Sequence, residues 1–451
     1  MEKINKGFVG FICLISALGG LLFGYDWVVI GGAKPFYEIY FGISDIPSLQ
    51  GLAMSIAIAG CLVGAMSAGW LADKYGRKKL LIISAVIFLI SAYATGAVDT
   101  FNPFLIARFL GGIAIGIASG LSPMYIAEIS PASMRGRLVS VNQLTIVLGI
   151  LAAQIANLCI AEPMPAGETV PALDSWNCQM GWRWMFWGEA FPAAAFMILV
   201  FFIPESPRWL AMTGNTADAL AILRKIGGAD YAMQEMAAAE YYTPEKSEKG
   251  AFRALFSKTF AKVLILGVFI AVFQQWCGTN VIFNYAQEIF ADAGYDVGEM
   301  LFNIVLTGIT NVIFTFVAIF TVDKIGRRKL MLWGAGGLAL IYLILGSCYF
   351  MQVKGVFMIV LVVAAIACYA MTLGPITWVL IAELFPDKVR AVAVSICTFA
   401  LWTGCLTLSY SFPLLNASLG SYGTFWIYSA ICFVGLGYFL KCLPETKGKR
   451  L

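Results

Sequence analysis

The 451-residue chain contains no histidine, and only 12% of its residues are charged. Without imidazole there is no histidine-ligated metal site, no Ser-His or Cys-His nucleophile pair and no imidazole proton shuttle, which leaves carboxylates as the proton carriers. So low a charge content excludes nucleic-acid binders, disordered chains and water-soluble domains, the last of which carry about a quarter of their residues as charges. The eleven cysteines do not describe a secreted disulfide scaffold: Cys13, Cys61, Cys277, Cys348, Cys368, Cys397, Cys405 and Cys432 stand inside apolar runs as small packing residues. Cys159 and Cys178 flank one connection, where they read either as a disulfide or as two free thiols. No metal and no cofactor is expected.

What the chain has instead is apolar length, with 60% of its residues hydrophobic. A helix needs about 20 apolar residues to cross the hydrocarbon core. Such windows recur near 8–31, 50–72, 80–98, 103–127, 138–160, 183–203, 263–286, 300–322, 330–351, 356–383, 390–413 and 421–442. They are apolar on every face, unlike the alternating strands of a barrel. The expected fold class is therefore all-α, a membrane protein with twelve transmembrane helices. If the termini and the even-numbered connections share one side, that side holds 26 of the 30 Lys and Arg; Lys34, Arg183 and Lys354 lie opposite and Arg108 lies within a span. Basic residues accumulate on the cytoplasmic face, which puts both termini in the cytoplasm. The leading MEKINKGF runs into the first span without a small-residue cleavage site and reads as a retained helix.

The sequence is internally duplicated. Asp73-Lys-Tyr-Gly76-Arg77 returns as Asp323-Lys-Ile-Gly326-Arg327, Ile-Ala-Glu128 with Arg135 returns as Ile-Ala-Glu383 with Arg390, and Pro204-Glu205 returns as Pro444-Glu445, at offsets of 250, 255 and 240. Three motifs in one order indicate a repeated six-helix unit. Residues 1–204 form the first half and 259–451 the second, joined by a polar stretch, 205–258, expected to form short cytoplasmic helices. Halves in parallel repeat place a substrate site near mid-membrane, where rocking exposes it to alternate sides.

The GxxxDxxGRKK pattern at 69–79 resembles the major facilitator superfamily. PESPRWL at 204–210, Arg108 with PMYxxE at 123–128, QQxxGxN at 274–280, GPxxW at 374–378, AExFP and PETKG together resemble its sugar porter family, which contains bacterial xylose/proton symporters and animal facilitative glucose transporters. The resemblance implies a major facilitator fold and an alternating-access transporter of a monosaccharide, hexose or pentose, working as a proton-coupled symporter. A facilitative uniporter and a transporter-like sugar receptor stand as alternatives. An enzyme is not expected, because no intramembrane carboxylate pair, metal-ligand cluster or activated nucleophile is visible. The expected partners are the sugar, the proton and the lipid bilayer of a bacterial inner (plasma) membrane, with no nucleic acid and a monomeric chain.

A sugar is a ring of hydroxyls with apolar faces, so its site calls for neutral amides and aromatic planes. Span seven offers both. In a continuous helix Phe273, Cys277, Asn280 and Asn284 share a face with Gln274 one step round it, and Gly278 is placed to loosen the helix. Hydrogen bonding between helices is the alternative use of such amides. The resemblance extends the sugar site to Phe23, Gln143, Gln274, Gln275, Asn280, Asn311, Trp378 and Trp402. Asn284 stands where relatives usually carry Tyr, Leu401 where many carry Gln or Asn, and Ala370 where some are acidic or aromatic, which leaves the identity of the sugar open.

Asp26 and Arg108 are the ionisable residues deepest in the apolar windows, and such residues normally pair. The pair reads as a proton switch or as a static ion pair; the resemblance implies the first. Glu189 also matches the symporter pattern, its alternative being a place beside Trp182, Trp184 and Trp187 at the membrane interface. Asp73, Arg77, Glu128, Arg135 and Glu205, with Asp323, Arg327, Glu383, Arg390 and Glu445, are expected to form a cytoplasmic latch in which Arg77 and Arg327 pair with nearby carboxylates. The Gly20/Gly24, Gly60/Gly64 and Gly112/Gly116/Gly120 spacings are expected to serve close helix packing.

Overall fold

In hydrocarbon every backbone polar group must find its partner within the protein, so long apolar runs are driven into helices. The computed structural model describes residues 4–163, 171–240 and 255–446, and among them there are helices and no strand. The first half contains α1 (Lys6–Phe41), α2 (Pro47–Tyr75), α3 (Arg77–Ala97), α4 (Phe101–Ile129), α5 (Arg135–Ile160), α6 (Trp182–Trp187) and α7 (Ala190–Val200). Two helices follow, α8 (Pro207–Met212) and α9 (Thr216–Glu240). The second half contains α10 (Lys258–Trp276), α11 (Thr279–Asn284), α12 (Ala286–Asp292), α13 (Val297–Ile325), α14 (Arg327–Phe350), α15 (Val356–Met371), α16 (Leu373–Glu383) and α17 (Asp387–Cys442).

Ten described helical segments are long and apolar enough to cross a membrane. They account for eleven of the twelve expected spans, because α17 runs 56 residues through a non-helical Gly420 and holds the last two. The sixth span is divided between α6 and α7, each too short to cross alone. The linker forms helices as expected over 207–240, where the Ser206 hydroxyl caps α8 by accepting from Trp209 N; residues 241–254 lie outside the described ones. One departure matters below: α1 does not stop near residue 31 but continues through Pro35 to Phe41.

The chain divides into two compact units. One comprises Met1–Asp26, Gly60–Ile150 and Phe186–Lys246; the other comprises Trp27–Ala59, Leu151–Met185 and Ser247–Leu451. This division does not follow the sequence repeat, since the later part of α1, the start of α2 and the end of α5 join the second half. Glycines explain part of the grouping. A Cβ on Gly31 would lie 2.9 Å from the Asn284 carbonyl oxygen, and one on Gly51 would lie 2.5 Å from that of Tyr410, so bare Cα atoms seat these helices against α11 and α17. In the first unit α3 packs on α4 and α7. There Gly60 and Gly64 present bare Cα atoms to the α4 backbone, and Gly24 does the same to α5. Gly120 meets nothing within 4 Å and serves no such packing.

Candidate functional site

The first unit holds a charged cluster. Asp26 and Arg108 are 1% and 2% exposed. Arg108 Nη1 donates to Asp26 Oδ1, and Nη2 donates to the Asp26 carbonyl oxygen at 3.3 Å. Small neighbours make room for this: a Cβ on Gly111 would lie 3.0 Å from Asp26 Oδ2. The guanidinium also lies 5.3 Å from the centre of the Phe186 ring. Glu189 joins the cluster. It is buried within electrostatic reach of both Asp26 and Arg108, and its Oε1 has no hydrogen-bond partner among the described residues. One cation thus faces two carboxylates in a medium where an unpaired charge costs several kcal/mol.

The second unit holds a cluster of neutral amides. Gly278, at φ 87°, breaks the seventh span between α10 and α11, where a side chain would run into the Tyr428 ring at 2.9 Å. Tyr285 breaks it again. The continuous face expected from residue 273 to 284 is therefore absent, and Gly278 loosens the helix as expected. The break turns the amides toward one another. Asn280 Nδ2 donates to Gln275 Oε1, Gln275 Nε2 donates to Gln274 Oε1 at 2.5 Å, and Gln274 Nε2 donates to the Tyr369 hydroxyl. These four groups form a head-to-tail chain.

The other expected sugar contacts are distributed between the units. Phe23, half-buried on α1, and Gln143, exposed on α5, belong to the first. Asn284 and Asn311 are buried in the second, with Asn284 Oδ1 unpaired among the described residues. Trp402 is buried, edge-on to Trp27 at 5.9 Å, whereas Trp378 is 43% exposed. Sequence reasoning missed Tyr369, although it sits beside the singled-out Ala370, and Gln154, a buried amide on α5 with neither polar atom paired among the described residues.

The duplicated charge motif forms two matching clamps. Arg77 Nε and Nη2 grip Glu128 at 2.9 Å each, and Nη1 reaches Asp73 Oδ1 at 3.0 Å. Glu205 Oε1 accepts from the backbone N–H groups of Arg77 at 2.9 Å and Lys78 at 3.0 Å, while the Ser206 hydroxyl donates to Glu128 at 2.5 Å. In the second unit Arg327 Nη2 donates to Glu383 at 3.0 Å, Glu445 accepts from Arg327 N at 3.0 Å, and the Thr446 hydroxyl donates to Glu383 at 2.5 Å. In both clamps a glycine with positive φ, Gly76 or Gly326, lets the carboxylate approach the start of the helix. Every partner seen for the Arg77 side chain comes from its own half. Arg135 Nη2 donates to the Ser130 carbonyl oxygen at 3.4 Å. Arg390 Nε donates to the Phe385 carbonyl oxygen, and the side chain of Asp323 lies outside the described ones.

Of the two readings of Cys159 and Cys178, the structure has free thiols, the first exposed and the second buried; Asn177 ties the ends of their connection, its amide accepting from Glu162 N and donating to Glu162 O, each at 2.8 Å. One further expectation is corrected. Carboxylate pairs, unexpected from the sequence, do form: besides Asp26 with Glu189, Glu38 and Glu288 flank Lys34.

Comparison with known proteins completes the picture. The chain is 36% identical to the arabinose-proton symporter of Bacillus subtilis (strain 168), over 99% of this chain and 94% of that one. It is 35% identical to the D-xylose-proton symporter of Escherichia coli (strain K12), over 100% and 95%. The inward open conformation of the xylose transporter XylE from E. coli superposes with a TM-score of 0.86 at 34% identity, covering 98% of both chains. The profile of the family described as "Sugar (and other) transporter" matches residues 12–451. With its fold and nearly its whole length accounted for, the chain belongs to this family of sugar porters, and it is a multi-pass membrane transporter and not an enzyme.

Proposed function

We propose that the chain carries a monosaccharide, hexose or pentose, by alternating access and couples it to a proton, with 1–204 and 259–451 as the halves that rock and 205–258 as their link. The observation that carries this reading is the buried Asp26–Arg108 pair with Glu189 beside it. While Asp26 is ionised it holds Arg108; a proton on Asp26 cancels that attraction and releases the guanidinium to Glu189, so proton arrival changes the internal pairing of the first half. Sugar binding is the work of Phe23, Gln143, Gln274, Gln275, Asn280, Asn284, Asn311, Trp378 and Trp402, with hydroxyls taking up the amide groups that now bond one another. The arabinose and xylose symporters among its relatives support a pentose as the first substrate to try. The face bearing the termini is cytoplasmic, the membrane is the bacterial inner membrane, and the working form is a monomer. Purified protein in proteoliposomes, given labelled arabinose, xylose and glucose with and without an imposed pH gradient, tests the reading. Concentrative uptake of one sugar only under the gradient is expected, and uptake indifferent to the gradient overturns the coupling.

A further inference from the structure

Beyond residue 31, α1 carries two charges through a buried environment. Lys34 is 1% exposed and pairs with Glu38, one helical turn on, at 2.9 Å. It also donates to Glu288 Oε1 on α12, and its ammonium lies 5.5 Å from the centre of the Tyr285 ring. Gln50 from α2 donates to Glu38 Oε2 at 3.2 Å. Lys34 and Glu38 come from the first half of the sequence and Glu288 from the second, and all three lie in one compact unit. The groups facing the cluster are Lys34, Glu38 and Tyr37 from α1, Gln50 from α2, and Tyr285 and Glu288 from the chain around α12; among the described residues no second cation touches either carboxylate. The charge count does not close. One ammonium stands between two carboxylates, Glu38 buried and Glu288 only partly exposed, and Glu288 Oε2 has no hydrogen-bond partner among the described residues.

A buried group in that position is neutralised in preference to carrying its charge uncompensated. We propose that Lys34, Glu38 and Glu288 form a second proton-binding site, separate from Asp26–Arg108, that exists only while the face opposite the termini is closed. The inference rests on the alternating-access reading above, because only there must α1 and α12 part to admit sugar. On parting, each carboxylate returns to water and the shared proton leaves to the same side from which it came. On closing, the cluster takes one proton from that side. This proton crosses nothing and drives no accumulation; it sets how readily the face closes. Because the closed form binds one more proton than the open form, the closed-to-open ratio rises as pH falls, by up to about tenfold per pH unit.

The test uses full-length protein in proteoliposomes with spin labels carried by non-canonical amino acids at Ser48 and Ala291, both exposed and both in the unit that holds the cluster. Distance distributions between pH 5 and 8 give the closed-to-open ratio (about three pH units, hence up to about three decades). The wild type is expected to close as pH falls. Glu288→Gln and Glu38→Gln, which remove the surplus charge, are expected to stay closed with no pH slope, their folding checked by sugar-binding calorimetry. Lys34→Met is expected to keep a slope and to favour the open form. A flat wild-type response, or an undiminished slope in both glutamine variants, overturns the proposal. The Asp26→Asn background separates the two readings: a slope that vanishes there and persists in Glu288→Gln assigns the titration to Asp26 and ends the proposal, whereas proton-driven accumulation untouched by Asp26→Asn ends the coupling reading and leaves the slope to decide the cluster.

Discussion

Asp26, Arg108 and Glu189 set one guanidinium against two carboxylates, all from the first half of the sequence, and Lys34, Glu38 and Glu288 set one ammonium against two carboxylates drawn from both halves. The composition is the same and the connectivity is not. On the alternating-access reading proposed above, charges that belong to one half keep their neighbours however the halves rock, so a proton arriving there can act only by rearranging partners internally. Charges contributed by both halves lose a partner when the halves separate, so a proton there reports on closure itself. Where the partners reside in the sequence, more than which partners they are, decides what a titratable cluster can do in a transporter of this kind.

The comparison breaks most visibly at accumulation. Asp26→Asn is neutral in every conformation, so the accumulation ratio in proteoliposomes is expected to fall to about one while sugar counterflow continues. Glu288→Gln, which biases the closed form and leaves Asp26 and Arg108 in place, is expected to take up sugar more slowly and still reach the wild-type accumulation ratio. Equal loss in the two variants would mean that both clusters drive transport.

A second difference concerns the cation. Removing one partner of a buried pair costs about 3–5 kcal/mol by leaving charge uncompensated, and Arg108→Met is expected to reach that range in thermal unfolding of detergent-solubilised protein. Lys34→Met is expected to cost less, because the Glu288 side chain is already 19% exposed and can rehydrate. A larger cost for Lys34→Met would invert the ranking of the two clusters.

The neutral amides sharpen the contrast. Gln274→Ala or Asn280→Ala removes a hydrogen bond worth about 1–3 kcal/mol in a buried site, so sugar affinity should fall roughly tenfold, and by the same factor at pH 6 and pH 8 because no charge is involved. Calorimetry at both values checks this, and a pH-dependent loss would tie the amides to a proton site.

The smallest effect is expected at the clamps. Arg77 and Glu128 are the more deeply buried pair, their side chains 5% and 6% exposed against 13% and 32% for Arg327 and Glu383. Arg77→Ala should therefore slow transport more than Arg327→Ala, with sugar binding retained in both. Identical rates in the two variants would make them ordinary surface charges.

Much of this was legible in the sequence. Apolar runs gave the spans because hydrocarbon leaves no alternative to the helix, and the duplicated motifs announced matching clamps because the same Asp, Arg and Glu recur in one order in both halves. Asp26 and Arg108 were legible because a charge in an apolar window must be paired. Lys34 was not. Hydropathy ends the first span near residue 31, and a lysine beyond it reads as solvated, yet the helix continues through Pro35 and tertiary contact with α12 buries the side chain. The amide chain was half legible: the residue types were visible, but their mutual bonding depends on the break at Gly278 and on Tyr369, which lies about 90 residues further on. Arg135 was legible as part of the repeated motif, but its hydrogen bond to the Ser130 carbonyl oxygen was not.

The directionality of the amide chain has a consequence for the choice of substrate analogues. From Asn280 to Gln275 to Gln274 to Tyr369 every link donates the same way. A hydroxyl inserted at any link can accept from one side and donate to the other, and so preserves the sense of the whole series. Fluorine at the same carbon can only accept, and a bare methylene can do neither. Walking fluorine and hydrogen substitutions round the sugar ring would thus convert a structural polarity into a pattern of tolerated and rejected ring positions, a stereochemical fingerprint readable by competition assays alone.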